Sequence, residues 1–309
     1  MKLIKSSDIK EKSHQADPYI FADDGRYYLY CTGVDGVHCY TSSKLGDFEH
    51  IGVVCSMEGT CQYWAPCVAK IDGKFYMYYS CMSCESDDVH TQCLKVAISD
   101  APEGPFIYQN DLAEPFSIDA DVAFTENGGY LFYSINNYSA KRVGTRIVLD
   151  KFLTPTSLLG EPCEVVVPTL DQEIFCRDRF KVGEHWHTIE GANFFYEDGW
   201  YYLLFSGNCY ENNNYYVGYS RAKANTSELD KIEFLKYPDD DTYCPLLCSD
   251  GVELGTGHNS TIKVEGQWYI VYHGRDVGDD LGSECRTARI AKLNVKDGVL
   301  SVEKIADDE

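Results

Sequence analysis

Three short segments place carboxylates directly before apolar, aromatic runs. They are "ADPYIF" with Asp17, "SIDADVAF" with Asp119 and Asp121, and "HTIEGANFF" with Glu190. Each acid lies about seven to ten residues ahead of a Gly that follows an acidic residue or Asn. One such acid is ordinary in a turn, but like charges that a fold gathers together cost free energy and need a reason. If the fold brings the three segments together, they predict a site whose carboxylates have shifted pKa values.

A repeat runs through the chain and includes the residues that follow these acids. An acidic residue or Asn, then Gly, then an aromatic run that closes in a small residue occurs five times. The copies are "DDGRYYLYCTG" from Asp23, "IDGKFYMYYSC" from Ile71, "ENGGYLFYSI" from Glu126, "EDGWYYLLFSG" from Glu197 and "VEGQWYIVYHG" from Val264. Asp-Gly and Glu-Gly between extended runs predict hairpins, and the aromatic runs predict strands. Five copies therefore predict five similar units.

The repeat predicts an all-β fold, a five-bladed β-propeller that forms a single domain over residues 1–309. Further strand-like runs such as "LKVAISD" and "YYVGYSRA" lie between the copies, while convincing amphipathic helices and Pro-, Gly- or Ser-rich linkers are absent. A β-sandwich with insertions is the alternative, but it explains the even recurrence less well. Because the innermost strands of a propeller converge on its axis, we expect Asp17, Asp119 and Glu190 at equivalent positions of blades one, three and four.

Charge and composition exclude several classes of partner. The formal net charge of −22 disfavours nucleic acid and anionic membranes and leaves a neutral ligand compatible. The start "MKLIKSSDIKEKSH" has no apolar core of signal-peptide length, and no run approaches a membrane span, so we predict a cytoplasmic location. The 14 cysteines are then expected to be reduced and packed as small hydrophobic side chains. A zinc site at Cys81 and Cys84 would need a second matching pair, and none has the usual spacing.

Five segments, in order, resemble family 43 of the glycoside hydrolases, which are five-bladed propeller enzymes that cleave arabinose- or xylose-containing glycans with inversion. The resemblance covers nearly the whole chain. The matching segments are "ADPYIFADDGRYYLYCTG", "YWAPCVAKIDGKFYMYYSC", "SIDADVAF", "IEGANFFYEDGWYYLLFSG" and "GTGHNSTIKVEGQWYIVYHGR". They are specific for the family but do not single out a substrate.

The resemblance assigns Asp17 as the general base, Glu190 as the general acid, and Asp119 as the group that orients the acid and tunes its pKa. An inverting glycosidase needs one ionised and one protonated carboxyl group, roughly 6.5–9.5 Å apart, with a water molecule beside the base. A third carboxylate near Glu190 would raise the pKa of the acid by like-charge repulsion. Strand alternation sends Asp121 to the same side as Asp119, so either could reach the pocket, and the motif position after Ile118 favours Asp119.

The resemblance also implies three substrate-binding residues. Trp64 in "YWAP" is expected to offer an aromatic platform to a sugar ring, and Arg286 fits an arginine that enters the pocket and helps to keep Asp17 ionised. His258 in "GTGHNST" resembles an axial histidine that in some family members lies near a bound calcium ion or a water cluster. No cofactor is expected to be required, and a structural calcium near the propeller axis remains open.

Several other residues are weaker candidates for contacts with the sugar. Phe21 and Trp186 stand behind Trp64 as aromatic platforms. His14, Asn193 and Asn259 lie beside the motif acids in the sequence and could contact hydroxyl groups.

The resulting prediction is an inverting glycosidase of the α-L-arabinofuranosidase or β-xylosidase type that acts on small pentose-containing oligosaccharides. The lack of an export signal favours exo action. The alternatives are an endo-acting arabinanase of the same family and a noncatalytic carbohydrate-binding propeller. Related propellers that hydrolyse fructosides use a Glu-Cys acid in mid-chain, whereas the only such pair here is Glu284 and Cys285 in the last blade. The sugar, the linkage and the oligomeric state are left open.

Overall fold

The chain folds into five antiparallel β-sheets arranged as the blades of a propeller. A computed structural model describes residues 1–3, 15–279 and 285–306. The predicted all-β five-bladed propeller is confirmed. Helical structure in the described residues is confined to single 3₁₀ turns at Val89–Thr91, Asp171–Glu173 and Leu229–Lys231.

Each blade begins with the strand nearest the axis and proceeds outwards. Blade 1 contains β1 (Tyr19–Asp23), β2 (Arg26–Cys31), β3 (Val37–Ser42) and β4 (Glu49–Cys55). Blade 2 contains β5 (Thr60–Ile71), β6 (Lys74–Ser83), β7 (Cys93–Ser99) and β8 (Ile107–Asp111). Blade 3 contains β9 (Ser117–Thr125), β10 (Gly128–Asn137), β11 (Gly144–Thr154), β12 (Ser157–Leu158) and β13 (Cys163–Val166).

The last two blades follow the same plan. β14 (Ile174–Cys176) pairs with the start of the inner strand of blade 4, which contains β15 (Trp186–Glu197), β16 (Trp200–Gly207), β17 (Tyr216–Ala222) and β18 (Leu235–Lys236). Blade 5 contains β19 (Glu253–Val264), β20 (Gln267–Asp276), β21 (Thr287–Lys296) and β22 (Val299–Lys304). Blades 3 and 4 are joined by a short parallel pairing of β11 with β15.

All five predicted repeats are hairpins between the first two strands of a blade. In four of them both turn residues have positive φ, as at Asp24 (45°) and Gly25 (74°) in blade 1. A two-residue turn of this kind matches the right-handed twist of the strands, which explains the recurring Asp-Gly and Glu-Gly pairs. Blade 3 turns at Glu126 and Asn127 instead, without positive φ at either residue.

Five hydrophobic clusters hold the blades together, one at each junction between neighbouring blades. Alternate residues of a strand pack against the blades on opposite sides, so that both faces of a sheet are buried; in β6, Tyr79 packs towards blade 1 and Tyr78 towards blade 3. The cluster between blades 5 and 1 closes the ring. Eight of the 14 cysteines are buried, as expected of thiols packed as small hydrophobic side chains.

The first three residues reinforce the closure of the ring. The backbone N–H of Leu3 donates to the carbonyl of Ala288 in blade 5 (3.0 Å), and the carbonyl of Leu3 accepts from Phe48 in blade 1 (3.0 Å). The Leu3 side chain is fully buried in the cluster between these blades. The N-terminal residues therefore tie the last blade to the first.

Candidate active site

A cavity of about 560 Å³ lies where the inner strands begin, at one end of the propeller axis. Its walls come from all five blades and from the connections that lead into them. The six residues that the sequence predicts as catalytic or substrate-binding all line it: Asp17, Trp64, Asp119, Glu190, His258 and Arg286. The fold therefore brings together residues up to 269 positions apart in the chain.

One backbone position recurs at the inner end of every blade. A residue with left-handed φ stands there, and the structure places these residues at Asp17 (51°), Ala65 (44°), Asp119 (61°), Gly191 (64°) and His258 (41°). In the four blades where the inner strand already includes this position, its pairing with the second strand is irregular there. Such a bulge redirects the neighbouring side chains, and bulges of this kind are common next to active sites.

Glu190 does not occupy this position, which corrects the prediction that the three acids are equivalent. Asp17 and Asp119 are left-handed residues, but in blade 4 that residue is Gly191, and Glu190 precedes it. A Cβ atom at Gly191 would lie 3.2 Å from Nδ1 of His258, so glycine leaves room for the histidine of blade 5. The acid of blade 4 therefore reaches the cavity from one residue earlier in the repeat.

Hydrogen bonds between neighbouring blades hold three of these left-handed residues. The residue seven positions after the hairpin glycine of one blade accepts from the backbone N–H of the next blade: Thr32 from Ala65 (2.9 Å) and Ser206 from His258 (2.8 Å). His273 holds the same place in β20, and its Nδ1 accepts from the N–H of Asp17 (3.2 Å). The sequence analysis missed His273. Its signal is that the other four copies of the repeat have Ser or Thr there.

The surroundings of Asp17 favour its ionised form. Thr32 Oγ1 donates to Oδ2 (2.6 Å), and Arg286 Nη1 lies 3.2 Å from Oδ1. His258 Nδ1 and His273 Nδ1 lie 3.5 and 3.2 Å from the same oxygen. Burial raises the pKa of Asp17, but Arg286 and, after it, the two histidines lower this pKa by more than burial raises it. The pKa of Asp17 therefore lies well below its usual value. Asp17 is therefore a carboxylate at neutral pH.

The pKa values of Glu190 and Asp119 are raised, in contrast to that of Asp17. Burial raises the pKa of Glu190 to about 7, and the charge of Asp17 adds to the rise, whereas Tyr215 and Arg286 oppose it. Tyr215 acts through its hydroxyl group, which donates to Oε1 of Glu190 (2.8 Å). Burial, Glu190 and Asp17 raise the pKa of Asp119 well above its usual value. The two acids therefore retain a proton close to neutral pH, while Asp17 does not.

Asp121 lies outside the described lining of the cavity, which corrects the expectation that either aspartate of blade 3 could reach it. The left-handed φ of Asp119 interrupts the alternation of β9, and the register with β10 shifts there. Asp121 instead accepts from the backbone N–H of Phe194 in blade 4 (2.7 Å). Burial raises the pKa of Asp121 to about 7. Its contacts join blades 3 and 4.

Of the weaker candidates for sugar contacts, one lines the cavity and the others that the structure describes do not. Trp186 lines the cavity, whereas Phe21 packs edge to face on Phe75 (6.1 Å between ring centroids). Neither Asn193 nor Asn259 belongs to the described lining; Asn193 accepts from Thr261 of blade 5 (2.8 Å). His14 and Glu284 lie outside the described residues.

The residues around His258 do not form a calcium site by themselves. Calcium takes six to eight oxygen ligands, which proteins supply from carboxylates and carbonyl groups together with bound waters. The carboxylate next to His258 is Asp17, which already pairs with Arg286. In the described part of the chain, no three His, Cys, Asp or Glu side chains are grouped so that they could hold a metal ion.

Comparisons with known proteins identify the family. A sequence model described as "Glycosyl hydrolases family 43" matches residues 11–300. This chain belongs to glycosyl hydrolases family 43. The resemblance seen in the sequence and the enzyme class that it implies, a glycosidase, are thereby confirmed.

Similar proteins include two bacterial enzymes and one solved structure. The chain is 26% identical to an extracellular exo-α-(1→5)-L-arabinofuranosidase of Streptomyces avermitilis, over 90% of this chain and 59% of that protein. It is 24% identical to a xylosidase/arabinosidase of Bacteroides ovatus, over 84% and 86% of the two chains. The crystal structure of a thermostable family-43 glycoside hydrolase superposes with a TM-score of 0.78 at 26% identity, over 95% and 93%. The chain thus spans 59% of the length of its Streptomyces relative and nearly all of the crystallised enzyme.

The predicted cytoplasmic location does not agree with the name of the Streptomyces relative, which is described as extracellular. No helix among the described residues is long and apolar enough to cross a membrane.

Proposed function

We propose that this chain is an inverting glycosidase that releases terminal arabinofuranosyl or xylosyl units from small oligosaccharides. The observation that carries the proposal is the contrast within one cavity between Asp17, whose pKa is lowered, and Glu190, whose pKa is raised to about 7. An ionised carboxylate and a protonated carboxyl group are the two forms that inversion in a single step requires. The names of the relatives supply the two sugars.

In the proposed mechanism, Asp17 removes a proton from a water molecule as that water attacks the anomeric carbon. Glu190 donates its proton to the glycosidic oxygen as the bond to the leaving group breaks. Arg286 and Thr32 keep Asp17 ionised and fix its orientation. Asp119 accepts from the backbone N–H of Gly191 (3.2 Å) and so holds the segment that carries Glu190. Each turnover leaves Asp17 protonated and Glu190 ionised, and exchange with solvent restores both.

The wall of the cavity supports exo action. His90, in the loop between β6 and β7 of blade 2, contacts Arg179, in the connection that leads into blade 4 (3.1 Å between Nε2 and Nη2). Phe116, at the start of blade 3, packs against His90 (5.9 Å between ring centroids). These contacts join blades 2 to 4 along one side of the cavity. A pocket closed on that side suits the end of a glycan better than its interior.

The proposal is tested with 4-nitrophenyl α-L-arabinofuranoside and 4-nitrophenyl β-D-xyloside. Asp17→Asn and Glu190→Gln should each lower kcat/KM at least about 100-fold on whichever glycoside is cleaved, because a positioned acid or base contributes that much or more. The matched control is Asp24→Asn, an exposed hairpin acid of blade 1 at a position that suits Asn.

Two results would contradict the proposal. One is a wild-type protein that binds pentose oligosaccharides but releases no sugar from any pentoside, which would identify a noncatalytic binding propeller. The other is full activity in a folded Asp17→Asn or Glu190→Gln variant. Thermal unfolding of every variant shows whether a loss of activity is a loss of fold.

A further inference from the structure

A second guanidinium lines the cavity besides that of Arg286. Arg179 lies in the connection between β14 and β15, and its guanidinium carbon is 4.3 Å from the centroid of the Trp186 ring. Phe180 lies 5.6 Å away, and both Phe180 and Tyr138 pack against Trp186. Trp186 is buried under these neighbours, so the group that it presents to the cavity is Arg179 rather than an open ring face.

A chain of hydrogen bonds fixes Arg179 from the other side of the cavity. Nδ1 of His90 is 2.6 Å from a carboxylate oxygen of Asp88, and Nε2 of His90 is 3.1 Å from Nη2 of Arg179. A carboxylate only accepts hydrogen bonds, so Nδ1 carries the proton and Nε2 is free to accept from the guanidinium. Arg179 is therefore held over the Trp186 ring by a histidine that accepts one of its hydrogen bonds.

The pairing of Arg179 differs from that of Arg286. Arg286 pairs with Asp17, but no Asp or Glu among the described residues forms an ion pair with Arg179. A guanidinium has five N–H donors in a planar fork, and His90 uses one of them. Held over an aromatic ring and half-exposed, Arg179 offers the other donors to a ligand in the cavity.

The position of Arg179 relative to the acid indicates which part of a substrate it meets. Trp186, Thr188 and Glu190 are alternate residues of β15 and all line the cavity, so one face of this strand leads from the acid to Arg179. At about 3.3 Å per residue, that face extends about 13 Å. The general acid protonates the oxygen of the leaving group, so the leaving group lies next to Glu190, where the face that leads to Arg179 begins.

We propose that Arg179 is a substrate-binding residue that donates hydrogen bonds to the sugar ring of the leaving group, with His90 and Trp186 as its positioning residues. The inference rests on the proposed function, because that function defines the leaving side. The ligand is a neutral sugar, since the ionised carboxylate of Asp17 in the same cavity and the formal net charge of −22 disfavour an acidic one. The natural substrate is thus an oligosaccharide rather than a glycoside with a small aglycone.

The test compares two substrates with the same terminal sugar: the 4-nitrophenyl glycoside, and arabinobiose or xylobiose. Arg179→Ala should lower kcat/KM for the disaccharide about 10- to 100-fold, the usual effect of losing a hydrogen bond from a charged group, and the nitrophenyl glycoside by a factor at least tenfold smaller. His90→Ala should show the same bias to a lesser degree. Arg177→Ala is the matched control, because Arg177 is exposed, belongs to the same connection and does not line the cavity.

Binding measurements separate this inference from the proposed function. In a Glu190→Gln background, calorimetric titration should show that Arg179→Ala weakens the binding of the disaccharide but not the binding of the free pentose. Equal losses on both substrates, or none on the disaccharide, would overturn the inference even if the enzyme is active. The claim that the ligand is neutral is tested with a disaccharide that has a carboxylate on its leaving sugar. This claim would be overturned if that disaccharide binds better than the neutral one and loses the advantage in Arg179→Ala. An inactive wild type would refute the proposed function, while the titration would still decide the role of Arg179.

Discussion

At the scale of residues, the environment of each carboxyl group determines its charge. Burial raises the pKa of both Asp17 and Glu190, which share one cavity; the guanidinium and two imidazoles beside Asp17 outweigh burial, whereas Tyr215 and Arg286 do not outweigh it for Glu190. The motifs sufficed to find both acids because each stands at a fixed place next to a repeat. They did not reveal Tyr215, which reaches Glu190 from the connection before β17, or His273, whose partner Asp17 lies in blade 1.

The raised pKa of Glu190 predicts the pH dependence of activity. Cleavage requires ionised Asp17 and protonated Glu190, so kcat/KM should be high below about pH 7 and fall above it as Glu190 loses its proton. The Tyr215 hydroxyl stabilises the ionised form of Glu190 and so lowers its pKa. Tyr215→Phe should therefore move the alkaline limb of the kcat/KM profile upwards, by about one pH unit for a hydrogen bond to a charged group.

A neighbouring tyrosine provides the control for this experiment. Tyr216 contacts Glu173, away from the cavity, through its hydroxyl group (3.4 Å), so Tyr216→Phe should leave the alkaline limb in place. An alkaline limb that stays or moves downwards in Tyr215→Phe would show that Glu190 is not the group that titrates there.

At the scale of elements, the repeat in the sequence predicts the hairpins, but not the bulge that precedes each of them. Hairpin turns leave a local signal, Asp-Gly or Glu-Gly, because both turn residues need positive φ. The bulge position is occupied by Asp, Ala, Gly or His, so no residue type identifies it. For this reason strand alternation left Asp121 as an alternative to Asp119 in the cavity, and the spacing to the hairpin glycine aligned Glu190 with Asp17; the structure corrects both.

The junction of blades 3 and 4 depends on a glycine. Gly144 pairs with His187 in the parallel pairing that joins β11 to β15, and a Cβ atom there would lie 1.9 Å from the carbonyl oxygen of His187. Gly144→Ala should lower the free energy of unfolding by roughly 3 kcal/mol, because a backbone contact cannot move aside as a side chain can. Urea unfolding at equilibrium measures the change.

Gly52→Ala is the matched control for this substitution. Its φ of 112° is in the same unfavourable range as the 147° of Gly144, but no atom lies within 4 Å of the added carbon. The control therefore carries the backbone strain without the clash. Equal destabilisation of the two variants would show that the close approach of β11 and β15 does not hold the blades together.

At the scale of the whole molecule, the site exists because the ring of blades brings residues from four blades together. Asp17 belongs to blade 1, Asp119 to blade 3, Glu190 to blade 4, and His258 and Arg286 to blade 5. Five repeats predict five blades because each sheet buries both faces against its neighbours, which an open row could not do at its ends. The hydrogen bonds by which Leu3 joins blade 5 to blade 1 could not be predicted from the sequence. Residues 1–3 are too few to show a strand pattern, and their partners lie far away in the chain.

The stereochemistry of the product tests the central claim that Asp17 is a base and Glu190 an acid. Proton NMR of the hydrolysis of a pentoside, recorded before the free sugar mutarotates, identifies the anomer that forms first. We predict the anomer opposite to that of the substrate, because a water molecule activated by Asp17 attacks the face away from the leaving group. A first-formed product with the configuration of the substrate would require a covalent glycosyl-enzyme, and would contradict the role of Asp17 as a base.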